Sequence, residues 1–463
     1  MMIDKRGIQK VKKKILSTVF ASTLLVGGLV GCSGSGGEST SSTNDGKENT
    51  DEAVTIKLHT HGNEASYNWQ QTIAAFEEEY PNIDVDLVVL SEKGDTQEAI
   101  QKLDLAAASG EQLDVLMFSD PASYAQRVAL GMVAPIDEFI DQEGYTVTEE
   151  YKVDTKINDH YYALPSKFNP WYVLLNKNHL DEAGLEVPTE WTWEEYMEYA
   201  KKLTTNDHFG TYFHGPQGGG WMEFMKLALA SEEDNTEFIK ADGSSNIEDP
   251  LFRKTLEMRV KMEKEDKSAT PYTDIISQKL HYRNQFFSQD ASMVLIGSWM
   301  NTELGGTDQF PLDFNVAVAP YPKNGAGAEG GYTPVTTDFM SVAETSKHKE
   351  EAYTFIRWYS TEGQIVQGKN VPAWNGVSDD ELTSIVDGIL AGTASPEKVD
   401  KESLINVLKN AKSSKIIPPV PYQSEIYKVI NEEYEKLILG DQDIDATVSA
   451  TQERVQEIID NNQ

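Results

Sequence analysis

The residues of this chain best suited to chemistry are aromatic, amide and charged side chains in loops beside strand-like runs. Trp299 follows the apolar run 292–296 through Gly297 and Ser298. Asp120 stands after the run 113–118, between Ser119 and Pro121. His61, Asn63 and Glu64 fall in the loop after the first alternating run, 54–59. Trp221 follows Gly218, Gly219 and Gly220, a loop able to carry an aromatic plate onto a ligand. Lys167, Asn169 and Trp171 lie around the segment 166–170, between two strand-like runs, and Trp374 in a later loop. A flat indole covers the C–H face of a ring-shaped ligand. Carboxylates and amides take the hydrogen bonds of its hydroxyl rim. Each residue also has a plainer explanation. Trp299 would pack a core, and Asp120 before Pro121 is a natural helix N-cap.

Catalytic and metal motifs fail on inspection. Gly363 to Asn370 fits seven places of a phosphate-binding loop, but Asn370 replaces the hydroxyl residue that holds magnesium. The run Asp441-Gln-Asp-Ile-Asp445 begins like a calcium loop. Ala446 stands where glycine is needed and Gln452 where the twelfth-position glutamate is needed. The eight histidines form no His-Glu-x-x-His, there is no His/Cys zinc cluster, and no Gly-x-Ser-x-Gly elbow occurs. The expectation is a binding protein without catalytic residues, metal or cofactor. A glycoside hydrolase stays open as the alternative, because 74 acids outside the leader make a carboxylate pair easy to supply.

The elements that must hold these residues alternate. Residues 54–59 read as a strand, 67–80 as a helix ended by Pro81, 83–90 as a strand, 96–108 as a helix and 113–118 as a buried strand. Runs 161–165 and 171–176 are further strands, and Thr192-Trp-Glu-Glu195 opens a helix as a capping box. Strands follow at 292–296 and 314–319, and helices at 347–360, 425–437 and 445–460. Strands alternating with helices imply a parallel α/β sheet, whose ligands sit beyond the carboxyl ends of strands. Trp69, with Ile73 and Phe76 on one helix face, reads as core; Trp191, Trp193 and Trp358 read as packing. Tyr161 and Tyr162, neighbours in an expected strand, would point to opposite faces and so cannot share a ligand.

The amino terminus reads as an export signal. Six basic residues within 1–14 precede an uncharged apolar stretch, 15–31. The stretch ends Leu29-Val30-Gly31-Cys32, and Cys32 is the chain's single cysteine. No internal disulfide is then available. Residues 32–53 are mostly Ser, Gly, Thr, Asn and acid, the composition of a flexible tether. Without residues 1–31 the chain carries 34 basic and 74 acidic residues, a formal charge of −40. That balance excludes nucleic acid and anionic lipid surfaces as partners. The length beyond the tether calls for two domains.

These landmarks, in order, resemble the extracellular solute-binding proteins of bacterial sugar transporters, the family of maltose-binding protein. The resemblance rests on Phe76-Glu-Glu-Glu-Tyr-Pro-Asn-Ile-Asp-Val85, Leu113 to Asp120, Tyr162-Ala-Leu-Pro165, Leu174-Leu-Asn-Lys177 and Pro188-Thr-Glu-Trp-Thr-Trp193. Its most specific piece is Phe286 to Trp299, in which Gln289-Asp290 replaces the family's usual glycine. Lys349 to Gln364 and Ile417-Pro-Pro-Val-Pro421 complete it. Leu-Val-Gly-Cys likewise resembles a bacterial lipobox, which implies cleavage before Cys32 and a lipid on that residue. The resemblance implies an α/β, two-lobe periplasmic-binding-protein-like (type 2) fold with three hinge crossovers and a cleft between lobes. The lobes would be 54–166 with 320–371, and 167–319 with 372–463. It implies a monomer, held at the outer face of the membrane, that delivers a carbohydrate, in particular an oligosaccharide, to an ABC permease without chemistry. Trp299 and Asp120 match the family's cleft tryptophan and ligand-contacting aspartate. Lys167, Asn169, Trp171 and Trp374 fall where it places ligand contacts. A binding protein of this fold for another solute stays open.

Overall fold

The structure, a computed structural model, describes residues 53–215, 222–234, 236–415, 417 and 420–462. The expected signal peptide, residues 32–52 of the tether with Cys32, and Trp221 lie outside the described residues.

The strands in chain order are β1 Val54–Thr60, β2 Ile83–Val89, β3 Val115–Phe118, β4 Leu164–Pro165, β5 Asn169–Asn176 and β6 Phe209–Tyr212. They continue with β7 Ala291–Gly297, β8 Val316–Ala319, β9 Tyr332–Thr333, β10 Val335–Thr336, β11 Phe339–Val342 and β12 Lys412–Ser413. Two five-stranded sheets result. The first has the order β2-β1-β3-β11-β4. Its β1 runs parallel to β2 and β3, with Leu58 beside Leu87 and Val115, while β11 is antiparallel to β3. The second has the order β10-β5-β7-β6. In it β10 pairs with the start of β5 and β8 with its end. β9 and β12 form a small parallel pair.

Both sheets are covered on two sides, as their apolar runs require. Met117 on β3 faces one core cluster while Leu116 and Phe118 face another. On β5, Tyr172 and Leu174 enter the first of these clusters, whereas Trp171, Val173 and Leu175 enter the core of the second sheet. This is the period of two that a strand imposes. The chain thus forms two α/β lobes, one on each sheet.

The helix expected at 67–80 is two helices, α1 Glu64–Tyr67 and α2 Trp69–Glu79. Asn68 between them is left-handed, at φ 51° and ψ 43°, and its N–H closes α1 on the Glu64 carbonyl. Asparagine is among the few residues that tolerate this conformation. The strand expected at 161–165 shrinks to β4. Tyr161 accepts from the Ile136 N–H and donates its own N–H to Asp137, so its backbone is engaged elsewhere. Tyr161 and Tyr162 therefore lie outside any strand and are not set on opposite faces by one. Gln289, in place of the family's glycine, does take a positive φ of 62°. Its amide bonds on both sides, to Asn176 (3.1 Å) and Asp313 (3.2 Å).

Three passages join the lobes, and they lie side by side. The first is 166–168, between β4 and β5. The second is 337–338, between β10 and β11. The third runs through 371–373. The Ser166 N–H donates to the Asp338 carbonyl, the Phe168 N–H to Val371 and the Ala373 N–H to Ser166, at 2.7–3.0 Å. The Thr337 hydroxyl donates to the Lys167 carbonyl at 2.6 Å. The first passage is thus the middle rail. The expected lobe bounds place the second exchange between 319 and 320, whereas β10, paired with β5, keeps 335–336 in the second sheet.

Candidate functional site

The first group of site residues sits at the starts and ends of facing strands. Trp171 on β5 lies directly across from Gly297 on β7. Trp299 follows Gly297 at the head of the 3₁₀ helix Ser298–Glu303. Its ring meets that of Trp171 edge-on, with centroids 5.4 Å apart at 85°. Trp171 is buried in the second lobe's core, while Trp299 is half-exposed. Trp171 therefore supports the Trp299 ring, which keeps an exposed part. Asn169, two residues before Trp171 and on the same strand face, accepts from the Ser298 hydroxyl at 3.3 Å. The Tyr172 hydroxyl donates to Asn301 at 2.8 Å.

Gly297 is a requirement of this arrangement. A Cβ there would meet the Trp299 ring at 1.9 Å. That distance forces the indole out of its place, since the ring is held by its packing rather than free at a flexible tip. Gly297→Ala should therefore shift tryptophan emission and weaken ligand binding about tenfold, near 1.4 kcal/mol. A fluorescence titration against wild type checks this.

The second group is a buried polar network where the passages meet. Asp338 in the second passage is fully buried. Its carboxylate faces the Lys167 ammonium of the first passage at 3.0 Å. The Tyr67 hydroxyl, at the end of α1, donates to Asp338 at 2.8 Å. That same oxygen receives Lys167 at 2.8 Å and faces His61 Nε2 at 3.0 Å. A phenol has one hydrogen and two acceptor positions, so its donation to Asp338 assigns the proton on Nε2 to His61. Tyr67 stacks on Trp69 at 5.4 Å and 6°, and Trp69 donates to the Gly62 carbonyl at 3.0 Å. Burial pushes the Tyr67 phenol well up, with Asp338 adding to it. Burial pulls the His61 imidazole down, against the opposing charge of Asp338.

The remaining candidates divide. Asp120 caps the helix Pro121–Ala129, accepting from the Ser123 N–H at 2.8 Å, and is half-exposed. Asn63 caps α1 by accepting from the Ser66 N–H, and its amide reaches the Glu92 carbonyl. Glu64 is exposed in the first turn of α1 and accepts from the Gln70 N–H. Trp374 is not with the Trp299 group. Its backbone bridges to Tyr151, and its indole donates to Glu150 at 2.9 Å. Tyr67, Asp338 and Ser298 are site neighbours that sequence reasoning missed. Asp338 left one signal, a lone acid directly before an apolar strand. Among the described residues, no group of three or more His, Cys, Asp and Glu side chains could hold a metal ion.

His214 lies near Tyr282, ring centroids 5.1 Å apart at 79°. Burial, with the neighbouring His281 and Arg283 adding to it, lowers its imidazole to about 4. The unfolded chain takes up this proton near pH 6.5, so it binds more protons than the fold between the two values. Stability is therefore complete above pH 6.5 and falls as the pH drops toward 4. The loss should be about 2 kcal/mol between pH 6.5 and 5. Urea unfolding at both pH values checks it, and His214→Gln should remove most of the difference.

The family model for bacterial extracellular solute-binding proteins matches residues 61–365. A sugar transporter protein from Rhizobium etli, in an open conformation, shares the fold with a TM-score of 0.71 at 20% identity. The match covers 87% of this chain and 99% of that one. The sugar-binding protein MalE from Xanthomonas citri has a TM-score of 0.67 at 19% identity, over 88% and 98% of the two chains. A lipoprotein of Streptomyces antibioticus is 24% identical over 205 residues, which is 42% of each chain. The chain therefore spans less than half the length of that relative. With the family pattern running from His61 into the helix Glu362–Gln367, and the two-lobe fold covering most of its length, this chain belongs to the bacterial extracellular solute-binding proteins.

Proposed function

We propose that the protein is a lipid-anchored receptor of an ABC importer, which closes on a carbohydrate between its lobes and hands it to the permease. One observation carries this reading. A supported, half-exposed indole, Trp299, lies in the lobe that the first passage enters through Lys167 and Asn169. An apolar plate with polar neighbours is what a sugar ring needs. The moving bodies are the two sheets with their helices, exchanging at the three passages. Closure follows from a ligand that contacts the closed form more extensively than the open one. Relatives of the fold include a maltose-bound MalE3 from T. maritima and a Listeria monocytogenes protein in complex with cycloalternan. An oligosaccharide is the ligand class this reading favours.

The protein performs no chemistry on the sugar. The one carboxylate fully buried at the passages, Asp338, is occupied by Lys167 and Tyr67. A reducing-sugar assay on any sugar that binds should detect no new reducing ends. Among the described residues, no helix is long and apolar enough to cross a membrane. The anchor we assign is the lipid on Cys32. Cys32→Ala should move the protein from the membrane fraction to the medium while leaving sugar affinity unchanged. Fractionation and titration of the same preparation check both halves.

A further inference from the structure

At the far end of the 3₁₀ helix that carries Trp299 lies an open hollow of about 620 Å³, lined by neither tryptophan. That volume falls in the range of small-molecule sites. Neighbouring residues join the hollow to the plate. The Tyr282 hydroxyl accepts from Arg283 at 2.6 Å. Arg283 lines the hollow. Glu303, on the same wall, stands four residues after Trp299 on one 3₁₀ helix. The rise is therefore about 8 Å. We propose that this hollow is an outer subsite, which takes a further unit of an oligosaccharide whose inner unit lies on Trp299. The proposal rests on the carbohydrate reading above and extends it to chain length.

The lining has the chemistry of such a subsite. Phe310 stacks on Phe287 at 5.7 Å and 24°, and lines the hollow as a second apolar plate. The carboxamides of Asn284 and Gln309 are exposed at its rim. Each offers both a donor and an acceptor, which matches a hydroxyl group. Arg283 and Glu303 form a bidentate pair at 2.6 and 2.5 Å. The pair is neutral as a unit, and each partner fixes the other's orientation. A neutral lining with fixed donors and acceptors suits a neutral polyol. It gives no surplus charge to an acidic or basic ligand.

The test is a chain-length series. Maltose to maltohexaose and cellobiose to cellohexaose are titrated by calorimetry into the wild type, Gln309→Ala, Phe310→Ala and Trp299→Ala. The expected result is tighter binding by the longer members of one series. Gln309→Ala and Phe310→Ala should then weaken the longest member about tenfold and leave the shortest unchanged, whereas Trp299→Ala weakens all lengths. Phe310 supports packing as well, so Gln309→Ala, an exposed change, shows the effect in an intact fold. Equal affinity across lengths, or equal losses at every length, would overturn the subsite and leave the Trp299 site standing. If no sugar of either series binds, the subsite falls together with the carbohydrate reading.

Discussion

Replacing Asp338 with alanine should lower the unfolding free energy by about 3–5 kcal/mol, the effect expected when one partner of a buried ion pair is removed. The carboxylate is fully buried, and Lys167 is 14% exposed at its side chain. Without Asp338, the ammonium and the Tyr67 hydroxyl lose the acceptor that both face. The surroundings offer little replacement, because His61 and Trp69 are themselves buried beside the phenol. An exposed pair gives the contrast. Lys409 and Asp379 are 2.6 Å apart but 40% and 75% exposed, and such a pair contributes about 0–1 kcal/mol. Urea unfolding of Asp338→Ala and Asp379→Ala compares the two directly. The double variant Lys167→Met, Asp338→Leu should recover much of the loss, since it removes both charges. Equal effects of the two single variants would refute the network's place in the fold. The network matters to function by its position. Its members come from the loop after β1, from α1 and from two of the three passages, so it ties the first lobe's cleft edge to the joints.

The second large effect is on binding. Trp299→Ala should weaken sugar affinity about 100-fold, close to 3 kcal/mol, in the range of a central aromatic contact. Trp171→Ala should instead act mainly on stability, because its ring is buried and meets Trp299 only at a right angle. A large-to-small change at such a core position costs about 3–5 kcal/mol. Titration and unfolding of both variants separate the roles. Affinity loss without instability belongs to the plate, and instability belongs to the support. Should Trp299→Ala bind as tightly as the wild type, the plate would lie elsewhere.

Much of the fold was legible in the residues. Alternation in β1 and β2, the apolar runs of β3, β5 and β7, and the capping box at Thr192 each placed an element where the structure has one. These signals are local, and local periodicity survives in a folded chain. What was not legible depends on distant partners. β10 is two residues long and is a strand only because Pro170 and Asn169 pair with it. Tyr161 leaves the strand pattern because Ile136 and Asp137 claim its backbone. The break at Asn68 turns on one backbone conformation that asparagine permits but does not require. Within the site, Trp299, Asn169 and Trp171 fall together because β5 pairs with β7, which sets Trp171 across from Gly297. Trp374 parts from them because Glu150 holds its indole. Asp338 and Tyr67 escaped notice because burial of an acid and a phenol shows only when the residues facing them are known. Sequence also cannot show that Trp171 is covered while Trp299 is open, a difference set by packing and not by residue type.

The measurement that bears most directly on the carbohydrate claim is a crystal structure of the protein with the tightest-binding sugar of the two series. The account predicts a sugar ring lying on the Trp299 indole, with both lobes contacting it and the passages 166–168, 337–338 and 371–373 absorbing the closure. A sugar bound away from Trp299, or held by one lobe alone with the lobes unmoved, would contradict it.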